Sequence, residues 1–188
     1  MLKFLTDRML VMFKFKFRFN RKRLMVYVLK LAKLSGTPEC IAKGVGMGLF
    51  IGLFIPMGAQ LLIVFPLAIW FKANKIAACS FTMITNHFTI LFIYPFQCVL
   101  GSYIIADPLT YERAKQPFMA FFHSPSLREL TLLGKEIVVP FFVGGAFLGA
   151  IFSVSGYFGA LYLVRTIRNR KAKRKLAAEQ LVNPGKTV

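Results

Sequence analysis

Gln60, Asn74, Asn86, His87 and Thr89 are amide, imidazole and hydroxyl side chains set in a stretch, residues 44–106, whose only charges are Lys72 and Lys75. Such groups are costly in hydrocarbon and must face protein or a wet cavity. The chemistry open to them is hydrogen bonding to a polar or anionic group. Gln60, Asn86 and Thr89 would donate or accept, while the half-helix start after Pro56-Met57-Gly58 would offer backbone amides. Covalent or acid–base catalysis has little to work with. His87 and His123 are the two histidines, no acid lies inside an apolar window, and Asp107, Glu112, Glu129 and Glu136 lie in residues 107–136. A triad or carboxylate pair therefore cannot be assembled at membrane depth. Phosphate loops, dinucleotide fingerprints and metal-ligand spacings are absent from the sequence. Cys40, Cys79 and Cys98 are an odd, widely spaced set that reads as packing residues. The expectation is a protein that is not an enzyme and uses no metal or cofactor.

The elements that must hold these side chains are apolar helices. The 188-residue chain is 56% hydrophobic, with 21 phenylalanines and a mean hydropathy of +0.60. Charge avoids three windows, 44–71, 76–106 and 137–164. A membrane core needs ~20 helical residues, so each window is long enough to span with tilt or to break and fold back. In the first window Gly44, Gly48, Gly52, Pro56 and Gln60 recur every four residues. Neighbours four apart share a helix face, so the glycines present a smooth stripe that lets another backbone approach. Gly145, Gly149 and Ser153 form a second such stripe in the third window, a natural partner for the first.

Thr37-Pro38-Glu39 reads as a helix start, with Thr37 as cap, Pro38 in the first position and Glu39 at the positive dipole end. That helix should stop near Pro56 and Gly58, and a second half should resume over 59–71. Halves of about 14 residues reach only ~20 Å each, short of a crossing. A re-entrant hairpin fits, and it returns Lys72 and Lys75 to the side where the window began. In the second window 76–85 reads as another half-helix and 90–106 as a near-minimal span, with Asn86-His87-Phe88-Thr89 between them and Tyr94-Pro95 following. Asp107-Pro108 marks the exit turn, and Ser126 to Glu129 has capping-box spacing for a short surface helix.

Net charge is +18, but its distribution argues for membrane orientation and against nucleic acid. Residues 1–43 hold eleven Lys/Arg and two acids, residues 165–188 hold eight and one, and residues 107–136 hold four of each sign. Both termini should be cytoplasmic and 107–136 should face outward. Two cytoplasmic ends require an even number of crossings, so one of three windows must return to its own side. Phe13, Phe15, Phe17 and Phe19 alternate with basic residues and suit either an anionic lipid surface or a loosely ordered orientation signal. Residues 21–34 read as a short interfacial helix ending at Ser35-Gly36, 168–175 as a basic helix or arm, and Asn183-Pro184-Gly185 as a disordered tail. The organisation is a basic segment at 1–36, a helical membrane domain at 37–164 and a basic tail at 165–188. The expected fold is an all-α, polytopic membrane protein with a broken or re-entrant hairpin and glycine-mediated packing.

Pro38, the Gly44 to Gly52 run, Pro56-Met57-Gly58-Ala59-Gln60, Asn74, Asn86-His87-Phe88-Thr89 and Gly101 together resemble the bacterial membrane family designated domain of unknown function 2062, over roughly 20–175. The resemblance implies an inner-membrane protein and no established activity. His87 stands where that family's pattern has proline, so the break there must come from Asn86 and packing. Two functions remain open on equal footing. One is a small transporter, for small solutes or lipid-linked anions, built on the broken helices. The other is a structural or accessory protein whose glycine faces pack a second copy or a partner membrane protein and whose basic ends grip anionic headgroups.

Overall fold

A computed structural model describes residues 29–86, 88–123 and 134–182. Among these every regular element is a helix. After helical residues 29–32 come α1 (Pro38–Phe54), α2 (Gln60–Trp70), α3 (Lys75–Thr82), α4 (Ile90–Ile104), α5 (Tyr111–His123) and α6 (Gly134–Val182). The expectations for Phe13 to Phe19, residues 21–28, His87, Ser126 to Glu129 and Asn183 to Gly185 lie outside the described residues.

Local chemistry sets the boundaries. Thr37 Oγ1 accepts from the Cys40 N–H at 3.2 Å, with Pro38 opening α1 and Glu39 in its first turn. The helix ends at Phe54 because Pro56 has no N–H to give the Gly52 carbonyl. The turn to α2 needs a left-handed residue, and Gly58 supplies it with φ +110°. At the far end of α2 the Asn74 N–H donates to Cys40 O at 2.9 Å and the Cys40 thiol to Lys72 O at 3.3 Å. The end of α2 thus returns to the start of α1, and the two helices are antiparallel. Asn74 then caps α3, its Oδ1 accepting from the Ala77 N–H at 2.8 Å.

The glycine stripe packs against α3, which runs parallel to α1. A Cβ on Gly44 would sit 2.5 Å from Asn74 O, one on Gly48 would collide with Ala78 O, and one on Gly52 would sit 2.9 Å from Thr82 O. The expected partner stripe on α6 does meet α1, but on its opposite face. Gly46 lies against Ser153, Phe50 against Gly149 and the Leu53 carbonyl against Gly145. The reason is angular, since Gly46 is ~200° around the helix from Gly44. Glycine thus makes α1 smooth on two sides, and a helix approaches each.

The second window is also two helices, α3 and α4, joined by residues 83–89. The interruption falls there, whereas Pro95 sits inside α4. α4 runs antiparallel to α6 at very close range, with Gly101 against Pro140 and Gly144 against Gln97. The third window belongs to one unbroken 49-residue helix, α6, which carries the basic tail on to Val182. Among the described residues one helix is long and apolar enough to cross a membrane, the Glu136–Ala178 stretch, while α2 and α4 are shorter apolar helices. Along α6, α1 occupies the stretch from Arg165 to Gly145 and α4 the stretch from Gly145 to Ile137. The outer surface is apolar over a wide belt. Leu62 is 78% exposed and Trp70 77%, with Phe88, Phe92, Phe158 and Tyr162 also outward.

Candidate functional site

The two helix breaks create a polar cluster where α1 ends. Pro56 strands the Gly52 carbonyl, and two side chains supply the missing donors. Gln60 Nε2 lies 3.0 Å from Gly52 O and 2.8 Å from Ile55 O, and the Thr85 hydroxyl donates to Gly52 O at 2.8 Å. Gln60 Nε2 also lies 2.8 Å from Thr85 Oγ1, tying the break after α1 to the break after α3. Met57, freed from helical bonding, donates its N–H to Tyr94 Oη at 2.7 Å. Unmade hydrogen bonds in this buried place would be costly, which is why the chain gathers side chains here.

Gln60 is 1% exposed and Gln97 is fully buried. Three surrounding oxygens fix the Gln60 amide with its nitrogen toward them, so Oε1 points away. Gln97 Nε2 donates to Phe141 O at 2.8 Å beside Gly145, where the Leu53 carbonyl also lies. Both amide oxygens, Gln60 Oε1 and Gln97 Oε1, are buried and accept no hydrogen bond from the described protein. Gly52 and Leu53 are consecutive, so the two glutamines flank the end of α1 on different sides. The carboxyl ends of α1 and α3 and the amino ends of α2 and α4 meet at the breaks, and their dipoles partly offset one another. Residues 44–71 and 76–106 carry no charge to add to this field. The unsatisfied capacity of the site is therefore for hydrogen-bond donors.

The other polar residues singled out in the sequence have different places. Asn74 is not in the cluster. It pairs with the Cys40 end of α1, twelve residues or ~18 Å along that helix from Gly52. There its Nδ2 donates to Ser35 O at 2.7 Å while Oδ1 caps α3, so it ties three segments together. Asn86 and Thr89 cap the second break. Asn86 Oδ1 accepts from the N–H groups of Phe88 and Thr89 at 3.0 and 3.1 Å, and Thr89 Oγ1 accepts from the Asn86 N–H at 2.8 Å. This reciprocal cap starts α4 without a proline. Neither residue bonds Gln60; the neighbouring Thr85 does. His87 lies outside the described residues. Thr85 and Gln97 were not among the sequence candidates. Thr85 carries no signal of its own in an apolar pattern, whereas Gln97 could have been found as an amide inside an otherwise apolar helix.

The basic end of the molecule is separately organised. Arg165 donates to Glu39 at 2.6 Å, and this guanidinium holds the Glu39 carboxyl below the ordinary value. Arg168 caps the turn after residues 29–32, donating to the carbonyls of Ala32, Leu34 and Gly36 at 3.2, 2.7 and 2.7 Å. Among the described residues no three histidine, cysteine or acidic side chains gather as a metal site.

The profile of a family described as an uncharacterized protein conserved in bacteria (DUF2062) matches residues 21–173, a range that takes in all of α1–α5 and most of α6. No curated protein and no solved structure matches the chain.

Proposed function

The chain belongs to the DUF2062 family, and from that premise we propose that it is a multi-pass protein of the bacterial inner membrane that carries a small hydrogen-bond-donating solute through the site where its helices break. The carrying observation is the pair of buried oxygens, Gln60 Oε1 and Gln97 Oε1, at the end of α1, which accept no hydrogen bond from any described residue. Buried acceptors with no donor are uncommon and mark strain or an absent partner. The flanking residues 44–71 and 76–106 contribute no cationic side chain, so the site suits a neutral or cationic donor better than the anion that helix amino ends alone would suggest.

The membrane placement draws on three supports. An exposed belt of Leu62, Trp70, Phe92 and Phe158 has no use in water. α6 is of spanning length. Lys/Arg residues crowd one end of the molecule, which by the charge rule puts both termini in the cytoplasm. α1 and α2 then enter from the cytoplasmic face and return to it as a re-entrant hairpin, α3 followed by α4 makes one crossing, and α6 makes the other. Discontinuous helices with freed backbone groups at mid-depth are the form that secondary transporters give their binding sites.

A second reading rests on a specific observation: Asn74, Asn86 and Thr89 are all engaged in capping helices. On that reading the protein is an accessory membrane scaffold and the amides are structural. Stopped-flow light scattering of proteoliposomes with urea and ammonium gradients separates the two. Transport predicts solute entry faster than in protein-free vesicles and a fall toward background in Gln97→Leu. Wild type and Gln97→Leu both at the protein-free rate would leave the scaffold reading.

A further inference from the structure

A groove of about 800 Å³ opens on the side of the molecule between residues 30–34, α1, α3 and α6. We propose that it seats one acyl chain of an anionic phospholipid from the cytoplasmic leaflet, with the headgroup phosphate at Lys30. The site is distinct from the glutamine cluster and rests on the membrane placement above.

The groove has the size of a ligand pocket, and its chemistry changes along its length. Leu34, Leu49, Phe81 and Leu163 form apolar walls, and Gly156 and Gly159 lie at its α6 side. The recess exists because α6 is small there. A Cβ on Gly159 would meet nothing within 4 Å, in contrast to Gly156, where it would strike Leu49. An apolar trough that no described residue fills forfeits dispersion contacts along its lining, and a hydrocarbon chain restores them. The mouth determines which lipid. Lys30 lines it, and Lys33 stands one turn further on the same side. At the same end of the molecule, residues 29–43, 72–75 and 165–175 hold twelve basic side chains and one acid, Glu39, which is engaged with Arg165. Charge complementarity therefore favours an anionic over a zwitterionic headgroup.

Native mass spectrometry of the full chain released from detergent, with phosphatidylglycerol or phosphatidylcholine of identical chains, reads this directly. Wild type should retain phosphatidylglycerol at least fivefold over phosphatidylcholine. Lys30→Gln with Lys33→Gln should reduce that preference below twofold while chain binding persists. Gly159→Phe, at a groove-lining position where a Cβ would meet nothing within 4 Å, should cut retention of both lipids at least fivefold, whereas Phe158→Leu, on the outward surface, should leave it unchanged. Equal retention of the two lipids by wild type, or indifference to Gly159→Phe, overturns the proposal. So does a disulfide or cross-link from Gly159→Cys to the amino-terminal segment or to a second copy, since protein would then fill the groove. Failure of the membrane placement would show instead in which side of the bilayer labels Lys72.

Discussion

Replacing Gln60 by leucine removes the donor that compensates for Pro56. In the wild type the Gly52 carbonyl is reached by Gln60 Nε2 and the Thr85 hydroxyl, while the Ile55 carbonyl is reached by Gln60 Nε2. Leucine would leave Ile55 O without that donor and Gly52 O dependent on Thr85. Stranding a buried acceptor costs about 1–3 kcal/mol in water-soluble proteins. Hydrogen bonds measured in membrane proteins average nearer ~0.6 kcal/mol. Removing the unpartnered Oε1 returns part of the cost, so the net expectation for Gln60→Leu is a loss of about 1–2 kcal/mol. Thr85→Val should cost less alone, because Gln60 still serves Gly52. The double variant leaves Gly52 O with neither donor and should exceed the sum of the singles by about 0.5–1.5 kcal/mol, the size of coupling expected for residues in one network. Reversible unfolding in mixed detergent micelles, followed by helical ellipticity, measures all four corners of the cycle. A Gln60→Leu variant as stable as wild type, or strict additivity with Thr85→Val, would refute the assignment of Gln60 as donor to a proline-stranded carbonyl.

Four other substitutions address the packing and the basic end. Gly48→Val should destabilise by about 2 kcal/mol or more, since even a Cβ collides with Ala78 O, while Gly159→Ala should be neutral or stabilising because alanine is the better helix former; the same unfolding assay reports both. Arg168→Ala removes donors from the carbonyls of Ala32, Leu34 and Gly36, and hydrogen exchange should accelerate several-fold across residues 31–36 with little change in α4. Arg165→Gln should raise the Glu39 pKa toward its ordinary value, measurable by carboxyl ¹³C NMR. Because the folded pKa is lowered, the pair's stabilisation is present above the unfolded value and is lost as pH falls through the folded one, so Arg165→Gln should flatten the acid limb of the stability profile.

Helix boundaries were legible where a single residue dictates backbone chemistry. Thr37-Pro38 opens α1, Pro56 closes it, and Gly58 makes the turn because each constrains φ or removes a donor. The pairing of stripes was not legible. A four-residue glycine repeat states that something approaches closely, and α3 is too short and too plain to announce itself as that partner. Gly46, which seats α6, is outside the repeat altogether. The second break was legible from Asn86 to Thr89, whose side chains make it, while Pro95 is carried inside α4. Of the expected polar site, Gln60 stands at the break, Asn74 sits at the basic end, and Thr85 and Gln97 complete a cluster that only the tertiary fold brings together. α5 shows in the sequence as amphipathic periodicity rather than apolarity, a weaker signal than the charge-free windows beside it.

The most direct test of the account is the side of the membrane on which the chain reappears after α2. Ala73 is buried, so the reporter belongs on the exposed Lys72. In a background with Cys40, Cys79 and Cys98 replaced, single cysteines at Lys72, Asp107 and Lys171 are probed with a membrane-impermeant thiol reagent on right-side-out and inverted vesicles. The re-entrant hairpin predicts labelling of Lys72→Cys and Lys171→Cys from the cytoplasmic side and of Asp107→Cys from the opposite side. Labelling of Lys72→Cys together with Asp107→Cys from outside would mean that α1 and α2 do not return, and would contradict the account.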